Sequence, residues 1–320
     1  MVRWLKYVVA AFLLIFVILL YSGWASDIPH ETLAEKYATG ASEFIDLPSG
    51  ARAHYRLQGN RDGKTIVLLH GSNSSLHTWE PWVTALSVDN FIVTLDLPGH
   101  GLTGPTPSED YTYSGMVEFL NEFVELLDLE DFVLGGNSMG GGVTLAYTLA
   151  YPQHVSSLIL VDAAGTLLPK TAADKVDYPI AFDLAGRWYT DWILENITPR
   201  SLAAEGLSKS VSVKSIVTED AVDRYWELVR HPGNRRATGL RFAWYRMNGS
   251  RDLQVEAITQ PALVIWGDED TLIPVEAGRA LHTRLPNSTL KVFKGVGHLP
   301  MEEVPSETAA AVADFIATLR

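Results

Sequence analysis

Phe132-Val133-Leu134 runs into Gly136-Asn137-Ser138-Met139-Gly140, and the chain continues as Gly141-Gly142-Val143-Thr144-Leu145-Ala146-Tyr147. An apolar strand-like run, a GxSxG pentapeptide and a helix-forming stretch, in that order, read as a sharp strand-to-helix turn with a serine hydroxyl at its tip. The serine backbone is strained in such a turn. The residues two positions to either side must therefore be small, and both are glycine.

A serine hydroxyl is a weak nucleophile until a base takes its proton, and the base needs a third group to orient it. Downstream, Pro261-Ala262-Leu263-Val264-Ile265-Trp266 is a short apolar strand ending in Gly267-Asp268-Glu269-Asp270. Leu290-Lys291-Val292-Phe293 is another, followed by Gly295-Val296-Gly297-His298. Carboxylates and then a histidine thus follow the serine, each at a strand end. Asp162, in Leu160-Val161-Asp162-Ala163, is a further acid candidate. Upstream, Thr65-Ile66-Val67-Leu68-Leu69 leads into His70-Gly71-Ser72-Asn73, where glycine lets backbone N–H groups approach a reacting oxygen closely. The amides of Ser72 and Met139 are the candidate oxyanion donors, and His70 is read as holding that loop by hydrogen bonds.

These stations stand in order along the chain: HGSN from His70, DLPGHG from Asp96, GNSMGG around Asn137, WGDED from Trp266 and GVGH from Gly295. With them the chain, from about Phe44 to Arg320, resembles the α/β-hydrolase superfamily. That resemblance implies an α/β fold: a mostly parallel eight-stranded sheet with helices on both faces and a helical cap. The family pattern WGxxD carries the triad acid onto Asp270, leaving Asp268 and Glu269 in a solvated turn. Some relatives place the acid one strand earlier, where Asp162 stands. The implied triad is Ser138, Asp270 and His298, and the implied activity is cleavage of carboxylic esters, in the manner of esterases and monoacylglycerol lipases, through an acyl-enzyme. The elbow GNSMGG also resembles that of meta-cleavage carbon–carbon bond hydrolases. Their oxyanion loop is typically glycine-rich and their histidine followed by tryptophan, whereas Ser72-Asn73-Ser74 and Leu299 stand here. A non-catalytic binding protein on the same scaffold usually lacks a triad member, and none is missing.

Gly99-His100-Gly101-Leu102-Thr103-Gly104 matches GxGxxG, but Pro105 and Pro107 follow where a nucleotide-binding loop should open a helix. No cofactor is expected. The nine histidines show no HExxH or comparable spacing, so no metal is expected either. A net charge of −13 argues against a nucleic-acid partner, and the absence of cysteine rules out disulfides and thiol chemistry. Four N-x-S/T sequons, at Asn73, Asn196, Asn248 and Asn287, are read as coincidental, since the first would put a glycan in the oxyanion loop.

Arg3 and Lys6 precede residues 7–26, which carry no charge, and Trp4, Tyr7, Tyr21 and Trp24 flank the run. About 20 apolar residues span a bilayer, and basic residues on the short flank keep that end cytoplasmic. Residues 1–26 are therefore expected to be a transmembrane anchor that leaves the rest of the chain on the non-cytoplasmic side. Gly23 and Ala25 also satisfy the rule for signal-peptide cleavage, which would make the chain secreted. Residues 27–40 read as a linker, 41–165 as the first part of the core, 166–259 as the cap and 260–320 as the second part of the core. The cap carries many aromatics, among them Tyr178, Phe182, Trp188, Tyr189, Trp192, Tyr225, Trp226, Phe242, Trp244 and Tyr245. Most are expected to pack as the cap's own core and two or three to line an acyl pocket. Its arginines Arg187, Arg241 and Arg246 are expected to be solvated surface charges.

Overall fold

Eight strands pair in one sheet: β1 (Ser42–Asp46), β2 (Arg52–Gly59), β3 (Lys64–Leu69), β4 (Asn90–Leu95), β5 (Phe132–Asn137), β6 (Val155–Val161), β7 (Ala262–Gly267) and β8 (Ser288–Phe293). Their spatial order is β1-β2-β4-β3-β5-β6-β7-β8, with β2 antiparallel to both neighbours and every other pair parallel. The computed structural model describes residues 23–170, 172–249 and 252–319, together with Trp4, Tyr7 and Val8. Most of the apolar run expected as an anchor lies outside the described residues, and no helix among them is long and apolar enough to cross a membrane.

The parallel strands read as unbroken apolar runs because both of their faces are covered. Alternate residues serve the two sides. Val67, Leu69, Leu134 and Leu160 join one apolar cluster, while Ile66, Leu68, Val133 and Ile159 join the other. The Tyr113–Leu126 helix covers the first face with Met116, Val117, Leu120, Phe123 and Val124, and its N-terminus is capped by the Thr112 hydroxyl. Pro48-Ser49-Gly50 closes the β1–β2 hairpin, with Gly50 at a φ of +83°.

The order β4-β3-β5 places a switch point between β3 and β5: the chain winds outward to one side from β3 and to the other from β5. In open α/β sheets, ligands bind in the crevice at the carboxyl ends of strands at such a point. Register aligns the loops there. Leu69 faces Gly136, Asn137 faces Val161, Val161 faces Ile265 and Gly267 faces Phe293. The segments after β3, β5, β6, β7 and β8 therefore emerge side by side.

Two sequence expectations need correction. The stretch 27–40, read as a polar linker, carries a helix, His30–Tyr37, because Leu33 and Tyr37 have apolar partners in Leu102 and Leu228. It is also tied to the cap: the Ile28 N–H donates to the Arg230 carbonyl, and Lys36 and Tyr37 both reach Glu227. Between β6 and β7 lie helices Ile180–Leu184, Asp191–Asn196, Arg200–Ser210, Glu219–Val229 and Asn234–Asn248. Of the aromatics there, Phe182 and Tyr225 line a pocket beside Ser138, within the two or three expected, while Tyr178, Trp188, Tyr189 and Trp192 are exposed and form no part of a cap core.

The packed helix makes a testable difference from a linker. Leu33→Ala should lower the unfolding free energy by about 2–4 kcal/mol, the cost of truncating a buried leucine. Unchanged denaturant midpoints would show that residues 27–40 do not contribute to the fold.

Candidate active site

Ser138 stands between β5 and the Met139–Ala150 helix with φ +53° and ψ −117°, a left-handed backbone that only close packing sustains. The packing is visible at the glycines. A Cβ on Gly140 would lie 2.3 Å from the Leu69 carbonyl, and one on Gly71 would lie 2.7 Å from Asn137 Oδ1 and 3.1 Å from Ser138 Cβ. The loop after β3 is thus pressed against the serine turn. Met139 opens its helix, so its N–H has no intrahelical acceptor. Ser72 and Ser138 line one pocket.

His298 lines the same pocket. Its Nδ1 donates to Asp270 Oδ2 at 2.7 Å, with both side chains buried, which leaves Nε2 as the acceptor nitrogen of the neutral ring. Asp270 Oδ1 accepts from the N–H groups of Leu272 and Ile273 at 2.8 and 3.0 Å, fixing the carboxylate plane. Asp268 is exposed and instead accepts from the Gly295 N–H at 2.7 Å.

Asp162 lies beside this pair: one ligand atom each from Asp162, Asp270 and His298 fall within 4.8 Å of one another. Its Oδ1 accepts from the Gly267 N–H at 3.0 Å. Burial holds the Asp162 carboxyl well above the usual carboxylate range, and the neighbouring Asp270 charge raises it further. A neutral acid beside a carboxylate is the state two adjoining buried carboxyls must adopt.

Three polar anchors hold the loops, and the sequence reading gave none of them that role. Asn137 Nδ2 donates to the carbonyls of Val161 and His298, joining the serine turn to the histidine loop. Buried Glu303 accepts from the N–H groups of Gly297, Leu299, Ser212 and Val213, so one carboxylate holds both the histidine loop and the cap. Neither pattern has a local signal, since each partner lies far off in sequence or belongs to the backbone. Asp96 is the third, within the DLPGHG station, and accepts from the Leu76 and Leu102 N–H groups and from His54 Nδ1 at 2.7 to 2.8 Å. Burial pushes its carboxyl up, but the neighbouring imidazoles, His54 foremost with its hydrogen bond, outweigh it and the net shift is downward.

His70 is fully buried, with Nδ1 donating to the Gly71 carbonyl and Nε2 accepting from the Leu97 N–H. Burial lowers its pKa, so it holds the loop as a neutral ring. Gly99–Gly104 folds back on itself through the Gly99 N–H and Gly104 carbonyl at 2.7 Å. The pocket is walled on the cap side by Phe182, Leu194, Leu202, Leu207 and Tyr225. Arg187 and Arg246 donate to cap carbonyls. Arg241 departs from expectation: it is buried, its Nη1 contacts Met139 Sδ and His100 Nε2, and no protein group among the described residues accepts from Nη2. Burial lowers its pKa to about 10, and His100 beside it is driven well below the usual histidine range by burial and by the Arg241 charge.

A serine on a strained turn after β5, lining one pocket with a histidine that is paired with a buried carboxylate, on a mostly parallel eight-stranded sheet, points to a class of α/β proteins. Residues 64–305 match the alpha/beta hydrolase fold family, and the chain belongs to it. The uncharacterized hydrolase YugF of Bacillus subtilis is 31% identical over 272 residues, covering 83% of this chain and 95% of that protein. Human monoacylglycerol lipase ABHD6 is 29% identical over 271 residues, covering 83% and 79%. Among solved structures, a thermophilic esterase from Thermogutta terrifontis superposes with a TM-score of 0.71 at 22% identity, covering 88% of this chain and 99% of the other.

Asp162 and Glu303 carry distinct predictions. An unfolded aspartate ionises near pH 4, whereas folded Asp162 keeps its proton higher, so folding takes up a proton above that pH. Its contribution to stability is full below about pH 4 and falls as pH rises toward the folded value. Asp162→Asn should therefore gain Tm relative to the parent between pH 4 and pH 8. A difference that is flat or shrinking with pH contradicts a protonated Asp162. Glu303→Ala strands four backbone donors, and a loss of about 2–3 kcal/mol is expected in chemical denaturation.

Proposed function

We propose that this chain is a serine hydrolase that cleaves carboxylic esters, with short to medium acyl esters or monoacylglycerols as substrates. The observation that carries the reading is the sharing of one apolar pocket by Ser138 and His298, with His298 held at 2.7 Å by buried Asp270. Ser138 Oγ attacks the acyl carbon while His298 Nε2 takes its proton, and the Ser72 and Met139 amides receive the oxyanion. His298 then protonates the leaving alcohol. Water, activated by the same nitrogen, releases the acid and restores the serine. Asp270 keeps the Nδ1 proton in place and stabilises the imidazolium. Each step uses groups the chain supplies. The apolar cap wall suits an acyl chain, and the likeness to a monoacylglycerol lipase supports the same substrate class. The uncharged run over residues 7–26 would hold the enzyme at a membrane, with its catalytic domain on the non-cytoplasmic side, where such amphiphiles partition.

Arg241 supports a second reading. A buried cation touching Met139, with no partner for Nη2 among the described residues, would suit a substrate carboxylate, as carbon–carbon cleavage of vinylogous diketo acids would need, though it is not among the residues that line the pocket. The apolar cap wall and the neutral Ser72-Asn73-Ser74 loop favour esters. Comparing kcat/KM for graded nitrophenyl esters and for a diketo acid on one preparation decides between them. A preference for the diketo acid overturns the ester reading and leaves the triad standing.

Ser138→Ala should abolish labelling by a fluorophosphonate and lower ester turnover on the order of 10⁴-fold or more, with the fold intact. Near-full activity in that variant refutes the mechanism. Asp270→Asn should lose thousands-fold, and Asp268→Asn should change little. A severe Asp162→Asn would move the acid one strand back.

A further inference from the structure

The first two cap helices have two unlike sides. Their inner side walls the pocket with Ala181, Phe182, Leu194 and Glu195. Their outer side and the turn between them turn large apolar groups to solvent: Trp188 is 89% exposed, Trp192 57%, Tyr189 55% and Ile180 53%, with Ile193 beside them. Such a grouping is not needed for packing, and clustered exposed aromatics mark a surface that meets something.

What it meets is indicated by the chain's own N-terminal side. Trp24 lies at the end of the uncharged run of residues 7–26, and its ring stands 6.3 Å from that of Trp192, edge to face. This is no loose approach. Trp24 pairs with Ile197, the Ala25 N–H donates to the Asn196 carbonyl, Arg230 holds the Ser26 carbonyl, and Arg235 holds the Ala25 carbonyl and Asp27. The exit of the apolar run is therefore fixed on the cap. The interfacial layer on each side of a bilayer is roughly 5–8 Å deep, and tryptophan concentrates there. If Trp24 lies in that layer, a ring 6.3 Å away lies in or against it too.

We propose that the outer cap face, formed by Trp188, Tyr189, Trp192 and Ile193 with Trp24, docks on a lipid bilayer surface. The pocket then sits about one helix thickness, roughly 10 Å, from the lipid, and acyl substrates reach it from the bilayer surface. The inference rests on the membrane location proposed above and adds which face meets the lipid.

The chain has no cysteine, so single cysteines report one site each. The full-length protein with Trp188→Cys, Trp192→Cys or, as control, Val88→Cys is labelled with an environment-sensitive nitrobenzoxadiazole dye and reconstituted into phosphatidylcholine vesicles. Val88 is exposed and precedes β4, at the end of the sheet opposite the pocket. Probes at 188 and 192 should shift to the blue and be quenched by brominated phosphatidylcholine, while the probe at 88 stays open to aqueous iodide. Cap probes as open to iodide as the control, in protein that floats with the vesicles, overturn the proposal. So does a shift that depends on protein concentration and ignores brominated lipid, which would make the face a contact between two copies. A Trp188→Ser/Tyr189→Ser/Trp192→Ser variant should keep its turnover of a soluble short-chain nitrophenyl ester and lose at least tenfold on monoacylglycerol in vesicles; equal activity on both also overturns it. Absence of soluble-ester turnover in the parent, with quenching intact, refutes the ester reading and not the docking face.

Discussion

The site depends on the close approach of two backbones, the turn at Ser138 and the loop after β3. A φ of +53° at a serine is unfavourable by itself and is kept because Gly71, Gly136 and Gly140 leave no room for the turn to relax. The same contact that stores this strain holds the loop after β3 against the serine turn, so that Ser72 and Ser138 line one pocket. A side chain at Gly71 or Gly140 would push the loop after β3 away from the turn, and one at Gly136 would clash within the turn itself.

Around that contact the loops are held by buried polar groups whose partners are mostly backbone N–H and C=O. Asn137 joins the serine turn to the histidine loop, Asp96 holds the loop after β3, and Glu303 holds the histidine loop to the cap. In a dry interior these bonds are stronger than in water, and each is costly to leave unmade. The pairing of Asp162 with Asp270 follows the same logic. Two carboxyls stand at adjacent strand ends, and burial together with the neighbouring carboxylate raises the Asp162 carboxyl, while Asp270 carries two backbone donors and the histidine.

The cap adds an apolar wall and couples it to the N-terminal segment. Residues 24–37 are stitched to it by backbone pairing, arginine contacts and the Leu33–Leu228 cluster. The orientation of the cap is thereby linked to whatever position the preceding apolar run takes up. The first two cap helices and the turn between them both wall the pocket and carry the exposed tryptophans, so the two properties are coupled.

The sequence by itself determined the alternation of buried strands with amphipathic helices and the sharp turn at Ser138, and it offered His298 as the base, since these rest on local periodicity and on residues adjacent in the chain. The resemblance carried the acid to Asp270, and the eight strands with their order agree with the fold it implied. Tertiary structure alone decided the rest. Polar residues 27–40 became a packed helix because two apolar side chains found distant partners. Cap aromatics with similar sequence settings divided into pocket lining and exposed surface, which depends on how short helices are oriented. Arg241 was buried while Arg187 and Arg246 took up carbonyls nearer the surface. Glu303 and Asn137 gained their roles from backbone groups up to 161 residues away. A hydrogen bond to a backbone atom leaves no signature in the identity of the partner residue, so only the folded chain could show it.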